Sequence, residues 1–282
     1  MKWEGRAGSG NIEDRRGMGG RGLAVGGGLG GLVVVLLLSA LTGRSPTEFI
    51  NPGGSASTDN SETRATREDD PQYKFISVVL RDTEDVWGKV FADSGRTYEQ
   101  PALVLFDGAT ESACGLGQAA MGPFYCPSDR KVYLDLSFFR ELDERFGAPG
   151  DFARAYVVAH EVGHHVQTLT GVSQRLQAAR EQAGRREGNA LSVLQELQAD
   201  CYAGVFGHFE SQNGFLDSGD VEEGLQAAAA IGDDRLQRES QGRVVPESFT
   251  HGSSAQRVEW LRRGLESGRI DACNTFRDTS TR

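Results

Sequence analysis

Two histidines four residues apart constrain this chain more than any other feature of its sequence. His160 and His164 enclose Glu161 in the run His-Glu-Val-Gly-His, and the residues before them, Ala-Tyr-Val-Val-Ala, are apolar. Side chains at positions i and i+4 lie on one face of an α-helix, so both imidazoles can bind one metal ion. The apolar run predicts a buried helix that presents this pair into a cleft. The alternative is a surface helix that carries two histidines by chance.

A second pair of residues completes a possible metal site. A catalytic zinc ion needs a third protein ligand and an open position for water. Residues 196–200 read Glu-Leu-Gln-Ala-Asp, so Glu196 and Asp200 also share one helical face. We predict Glu196 as the third ligand and Asp200 as the acceptor that orients a ligand histidine through its other ring nitrogen. Glu161, beside the first histidine, would act as general base. The alternative for residues 196–200 is an acidic helix face exposed to solvent.

The pattern of apolar residues predicts an α+β fold, with a small β-sheet followed by a mainly helical part that carries the histidine pair. Asp151 is a candidate N-cap for the helix with the two histidines. The predicted strand at 131–136 is a candidate edge that could hold an extended peptide, and the alternative is an ordinary internal strand. The predicted elements are helix 75–91, strands 102–106 and 131–136, and helices 152–169, 173–184, 190–211, 220–231 and 253–266.

An uncharged hydrophobic run from Leu23 to Leu41 divides the chain. At about 1.5 Å per residue, a helix of this length just crosses the ~30 Å hydrocarbon layer. Arg15, Arg16 and Arg21 lie just before the run and predict a cytoplasmic N-terminus with an outward-facing remainder. A cleaved signal peptide and a buried core helix are the alternatives. The predicted organisation is a short cytoplasmic N-terminus at 1–22, a transmembrane anchor at 23–43, a disordered linker at 44–72 and a folded domain at 73–282.

The cysteines agree with a domain outside the cytoplasm, because an even number is compatible with two disulfides. Cys114 and Cys126 flank a glycine-rich turn, so we predict that they pair and that Cys201 pairs with Cys273. The sequence alone permits three pairings, and four reduced, buried thiols are the alternative.

Charge and motif content argue against several other classes of function. The chain has 40 acidic and 30 basic residues, a formal net charge of -10, which disfavours nucleic-acid binding through phosphate contacts. The Gly-x-Ser-x-Gly motif of serine hydrolases is absent. No cysteine stands in a setting that would activate it as a nucleophile.

Longer runs around these residues resemble the bacterial putative neutral zinc metallopeptidase family, whose members typically have one N-terminal membrane segment. The runs are HEVGHHVQ, ELQADCYAGVF, MGPFYCPSDRKVYLDLSFF at 121–139 and FTHGSSAQRVEWLRRG at 249–264, and the likeness covers about 73–276. HExxH with ExxAD is also similar to the HtpX-like and CAAX-prenyl proteases, gluzincins whose distal Glu is a ligand. These proteases carry a later His and an Arg six residues on. His251 and Arg257 have that spacing, so the resemblance implies that they contact the oxyanion or substrate.

The resemblance implies a zincin-like metalloprotease domain over 73–282 with one catalytic Zn²⁺, bound by His160, His164 and Glu196. A protein or peptide is the expected substrate. The cell membrane is the expected location, with a single-pass anchor at 23–43 and the catalytic domain outside the cytoplasm. The alternatives are a non-catalytic zinc-binding interaction module at the membrane and a metal hydrolase of non-peptide substrates. A general base beside the ligands argues against the interaction module.

Overall fold

The computed structural model describes residues 1–17 and 69–276 of the chain. Within these ranges the fold is mixed α+β, with a small sheet and a mostly helical part, as the sequence predicts. The described strands are β1 (Ile12–Asp14), β2 (Ala102–Phe106), β3 (Ala109–Ser112), β4 (Gly115–Gln118), β5 (Phe124–Cys126) and β6 (Lys131–Asp135). The described α-helices are α1 (Pro71–Asp93), α2 (Ser137–Glu144), α3 (Asp151–Leu169), α4 (Val172–Gln182), α5 (Arg185–Gln212), α6 (Asp220–Ala230), α7 (Asp233–Gln241) and α8 (Ser254–Ser267).

The main sheet has the strand order β1-β2-β6-β5, while β3 and β4 form a separate hairpin. β2 pairs in parallel with both β1 and β6, and β5 runs antiparallel to β6. β2 and β6 are each buried at four of five positions, as expected for strands covered on both faces. The prediction that the strand at 131–136 forms a free edge is wrong, because β5 covers it and is itself the edge.

Residues 1–17 belong to the same folded body as the helices. Ile12 in β1 stands opposite Leu103 in β2, and the Trp3 indole N–H donates to Asp151 Oδ2 at 3.0 Å. The polar, glycine-rich composition of 1–22, which has no hydrophobic periodicity, predicts a separate N-terminal region instead. The structure differs because a few anchoring side chains and a three-residue strand hold residues 1–17 against the domain.

The predicted anchor at 23–43 and most of the predicted linker at 44–72 lie outside the described residues. The described part of the linker is ordered, since Asp70 caps α1 by accepting a hydrogen bond from the Gln72 backbone N–H at 2.9 Å. Asp70 also accepts a hydrogen bond from Arg16 Nη1 at 2.6 Å. Among the residues that the structure describes, no helix is both long and apolar enough to cross a membrane.

The long helices occur close to their predicted positions, with ends that differ by up to five residues. α3 begins at Asp151 with Gly150 as its N-cap, one residue before the predicted cap. The Asp151 carboxylate makes no capping bond and instead accepts the Trp3 indole N–H. α2 and α7 were not predicted, because they have only eight and nine residues and few apolar positions.

Small residues bring the helices of the site together. A Cβ at Gly163 in α3 would lie 3.0 Å from the Ala199 carbonyl oxygen in α5. α5 and α8 approach more closely still, since a Cβ at Gly204 would lie 2.1 Å from the Leu261 carbonyl oxygen. Any larger side chain at these positions would separate the helices. The close contacts therefore fix where α5 presents its side chains to α3.

Both predicted disulfides are present. Cys114 bonds Cys126, which joins the β3–β4 hairpin to β5. Cys201 bonds Cys273, which joins α5 to the C-terminal end of the described chain. All four cysteines of the sequence are used, so the alternative of four reduced thiols does not hold in this structure.

Candidate active site

Three side chains that the sequence predicts as metal ligands converge on one point. His160 and His164 come from α3, and Glu196 comes from α5. His160 Nε2 lies 3.1 Å from Glu196 Oε2, and His164 Nε2 lies 3.4 Å from Glu196 Oε1. One candidate ligand atom from each residue lies within 4.8 Å of the other two. Two imidazoles and one carboxylate form a donor set that fits a zinc ion and leaves one position open.

Hydrogen bonds behind the two histidines set their tautomers. His160 Nδ1 donates to Asp200 Oδ1 at 2.8 Å, as predicted for Asp200. His164 Nδ1 donates to Gln167 Oε1 at 2.9 Å, a contact that the sequence analysis missed. The Gln167 amide is itself oriented, because its Nε2 donates to the Gln195 carbonyl at 2.7 Å. Both histidines are therefore oriented so that Nε2 is the nitrogen that faces the metal-binding point.

The ionisation of this group depends on its burial and its internal attractions. Burial by itself would lower the pKa of His160, but Asp200 and Glu196 raise it to about 10. Burial would raise the pKa of Glu196, but His164 and His160 hold it well below its usual range. In the metal-free chain the proton is therefore held by the histidines and not by the Glu196 carboxylate. A metal ion that binds here has to displace it.

The Glu161 carboxyl borders the cleft beside the ligands, and its residue is only 8% exposed. Burial raises the pKa of Glu161, while attraction to His164 and His160 opposes that rise. A raised pKa makes this carboxylate a stronger proton acceptor, and the acid it forms can release the proton again. The structure therefore brings the predicted general base to the predicted ligands.

Arg257 reaches the site from α8 but is paired behind it. Its Nε donates to Asp200 Oδ2 at 2.9 Å, and its Nη2 donates to Asp200 Oδ1 at 2.9 Å. The Tyr156 hydroxyl donates to the same carboxylate at 2.6 Å. Despite burial, attraction to Arg257 and His160 lowers the pKa of Asp200 to about 2. Arg257 borders the cleft, yet it is only 3% exposed and its visible contacts hold Asp200 in place.

His251 borders the cleft from the loop before α8. Its Nδ1 donates to Asp233 Oδ1 at 3.2 Å. Asp233 Oδ2 also accepts the backbone N–H groups of Thr250, His251 and Gly252, at 2.7, 2.7 and 3.1 Å. Sequence reasoning missed Asp233, because no spacing pattern links it to a loop seventeen residues away. This one buried carboxylate orients the loop that carries His251.

The cleft has a volume of about 1120 Å³ and is bordered by β5, α3, α4 and the loop before α8. The edge strand β5 is fastened to α3 by His165, the residue that follows the second ligand. The Tyr125 hydroxyl donates to His165 Nδ1 at 3.0 Å, and His165 Nε2 donates to the Glu99 carbonyl at 2.6 Å. Both nitrogens of His165 are therefore occupied away from the ligand group. The strand edge is fixed relative to the metal ligands.

Comparisons with known proteins agree with the family resemblance. Residues 1–276 match the family model described as "Putative neutral zinc metallopeptidase". "Uncharacterized protein YpfJ" of Escherichia coli strain K12 is 50% identical over 284 residues, which cover 98% of this chain and 99% of that protein. "Uncharacterized protein Rv2575" of Mycobacterium tuberculosis strain H37Rv is 44% identical over 190 residues, 64% of this chain and 63% of that protein. No solved structure matches the chain.

Proposed function

The chain belongs to the putative neutral zinc metallopeptidase family, and we propose that it is a zinc-dependent peptidase. The observation that carries this proposal is the convergence of His160, His164 and Glu196 in a cleft that also holds the Glu161 carboxyl. Three protein ligands with one position left open are typical of catalytic zinc sites, whereas structural sites use four. The two histidines, through Nε2 after loss of the proton held there, and the Glu196 carboxylate would hold the ion.

Zinc, when bound, would polarise the scissile carbonyl and lower the pKa of the attacking water. The chain supplies the proton transfers. Glu161 accepts the proton of the attacking water on its carboxylate and delivers it to the leaving amine nitrogen. Asp200 keeps His160 in the tautomer that leaves Nε2 unprotonated, and Gln167 does the same for His164.

The shape of the cleft favours a peptide over a small molecule. Among the described residues β5 is the outer strand of the sheet, and it borders the cleft, so an extended peptide can add to it by main-chain hydrogen bonds. His165 keeps this edge at a fixed distance from the ligands through Tyr125. His251 lies on the loop at the cleft border, where its imidazole can contact the bound substrate.

The test compares the zinc-loaded wild type with Glu161→Gln as full-length chains, with casein and a mixed peptide pool as substrates. Both proteins should bind one zinc ion with similar affinity. Only the wild type should cleave, and a loss of about a hundredfold or more is expected for the variant. Glu141→Gln, which changes another acidic residue at the cleft border, is the matched control and should cleave normally.

Two outcomes of this comparison would count against the proposal. Full turnover by Glu161→Gln would refute the assigned base. Zinc binding without cleavage of any substrate by the wild type would favour the non-catalytic alternative.

A further inference from the structure

One basic side chain at the cleft has no acidic partner. Arg180, on α4, borders the cleft near Gln195, which precedes the proposed ligand Glu196. Its Nη2 donates to Gln195 Oε1 at 2.7 Å, whereas its Nε is buried and has no hydrogen-bond acceptor. In the part of the chain that the structure describes, Arg180 forms no ion pair, and Glu196 is the charged group that acts on it.

The other arginines at the cleft are already paired. Arg257 makes two hydrogen bonds to the Asp200 carboxylate. Arg145 lies 3.7 Å from Glu141, one turn away on the same helical face. Among the described residues at the cleft, Arg180 is therefore the arginine without an acidic partner.

Burial lowers the pKa of Arg180, although attraction to Glu196 opposes the effect. A guanidinium nevertheless stays charged at neutral pH, so part of this charge is desolvated without a counter-ion. A carboxylate would satisfy it best, because its two oxygens match the forked donors of arginine.

We propose that Arg180 binds a carboxylate of the substrate, either on an acidic side chain or at the C-terminus of a peptide. This inference rests on the proposed peptidase function.

The test uses pools of short fluorescent peptides in matched pairs. One pair differs only in a C-terminal carboxylate against an amide, and the other only in Glu against Gln at one internal position. Binding is measured with the zinc-loaded Glu161→Gln chain, and cleavage is measured with the wild type. In at least one of the two pairs, the peptide with the carboxylate should bind about tenfold or more tightly than its uncharged counterpart. Arg180→Gln should abolish that preference. Arg145→Gln is the matched control and should retain it.

The two pairs identify the source of the carboxylate. A preference in the first pair alone indicates a free C-terminus, and a preference in the second indicates an acidic side chain. No preference in either pair, or one that survives Arg180→Gln, would overturn the inference. Binding that depends on Arg180 without any cleavage would support the carboxylate site and count against the peptidase function.

A separate observation concerns the two ends of the stretch that the structure does not describe. Arg16 donates to Asp70 at 2.6 Å, so the residues on either side of 18–68 are in contact. β1 pairs with β2, and the Met1 ammonium lies 2.9 Å from Asp220 Oδ2, so the contact belongs to an extended interface. A single crossing at 23–43 would place residues 1–17 and 69–276 on opposite sides of a ~30 Å layer.

We infer that residues 1–17 and 69–276 lie on the same side of any membrane that this chain meets. Crossing once between them is incompatible with the strand pairing and the Arg16–Asp70 contact. The two disulfides indicate that this side is outside the cytoplasm, where disulfides persist. This inference places residues 1–17 outside the cytoplasm, whereas the sequence predicts a cytoplasmic N-terminus at 1–22.

The test uses two variants of the full chain that each carry one added cysteine, Gly10→Cys and Ser211→Cys, both at exposed positions. Spheroplasts are treated with a membrane-impermeant maleimide before and after lysis, and the native cysteines stay bonded. We expect both variants to be labelled before lysis. Labelling of neither until lysis would keep the two parts on one side but overturn the outward placement. Labelling of only one before lysis would overturn the inference.

Discussion

At the scale of single residues, the site depends on buried polar side chains that do not themselves reach the metal-binding point. Gln167 is fully buried, and its Oε1 accepts a hydrogen bond from His164 Nδ1. Its Nε2 donates hydrogen bonds to the Gln195 carbonyl and to Gln198 Oε1. Because it binds both α3 and α5, it couples the orientation of one ligand to the position of the helix that carries another. Asp200 has the equivalent role behind His160.

Gln167→Leu should lower zinc affinity about 10- to 100-fold, because His164 loses the acceptor that fixes its tautomer. Competition with a chromophoric chelator measures the change. Gln212→Leu is the matched control, since Gln212 also contacts a histidine one turn away, His208, which lies outside the ligand group. Equal zinc affinities for wild type and Gln167→Leu would show that this hydrogen bond does not support the site.

Arg257→Met distinguishes support of Asp200 from contact with substrate. The substitution leaves a buried carboxylate without its cation, so unfolding should become easier by about 3–5 kcal/mol. Zinc affinity should fall as well, because Asp200 then holds His160 less firmly. Urea unfolding and chelator competition measure the two effects. A variant with normal stability and zinc affinity but a low kcat would instead support the oxyanion contact implied by the family resemblance.

At the scale of elements, residues 1–17 are joined to α1 and α5 by a group of three ionisable side chains, of which the two carboxyl groups are buried. Arg6 donates to Asp82 of α1 and lies 3.7 Å from Glu210 of α5. Burial raises the pKa of Glu210 to about 8, with a contribution from Asp82 and opposition from Arg6. Burial likewise raises the pKa of Asp82 to about 6. Arg6 therefore faces two carboxyl groups that are both buried from solvent.

The raised pKa of Glu210 makes stability depend on pH. In the unfolded chain this glutamate ionises near pH 4.5, but in the folded chain it keeps its proton up to about pH 8. Its contribution to stability is therefore full below about pH 4.5 and is lost as the pH rises to about 8, by at most about 1.4 kcal/mol per pH unit. Glu210→Gln should flatten this decline in urea unfolding measured at several pH values. Glu187→Gln, an exposed change on the same helix, should not, and an unchanged slope in Glu210→Gln would refute this explanation.

The elements also show what could be predicted from the sequence. α3 and α5 were predictable because they combine long apolar patterns with ligand spacing. β5 and β1 were not, because three residues are too few for a period to emerge and their pairing depends on distant strands. Of the two buried carboxylates that orient the histidines of the site, only one could be predicted. Asp200 follows from its spacing to Glu196, whereas no pattern in the sequence points to Asp233.

At the scale of the whole molecule, contacts between distant parts of the chain hold the helices of the site. Trp3 binds Asp151 at the start of α3, and the Cys201–Cys273 disulfide joins α5 to the C-terminal part. The match of the family model from residue 1 onward agrees with a structural role for residues 1–17. The folded unit is therefore the combination of 1–17 with 69–276.

A chain that begins at residue 69 should unfold at a lower temperature than the full chain, because β2 loses β1, one of its two partner strands, and the buried carboxyl groups lose Arg6. A synthetic peptide of residues 1–17 should bind this shortened chain and raise its melting temperature. The same peptide with Trp3→Ala and Arg6→Ala is the control and should bind much more weakly. Equal melting temperatures for the full and shortened chains would contradict this assignment.

The central claim is that His160, His164 and Glu196 together hold one zinc ion, and zinc bound per chain tests it most directly. The full-length wild type, Glu196→Ala and Glu141→Ala are purified under identical conditions, dialysed against a weak chelator and analysed by metal mass spectrometry. The wild type and Glu141→Ala should keep about one zinc per chain, and Glu196→Ala should lose most of it. Full zinc content in Glu196→Ala, or none in the wild type, would contradict the metal site on which the account depends.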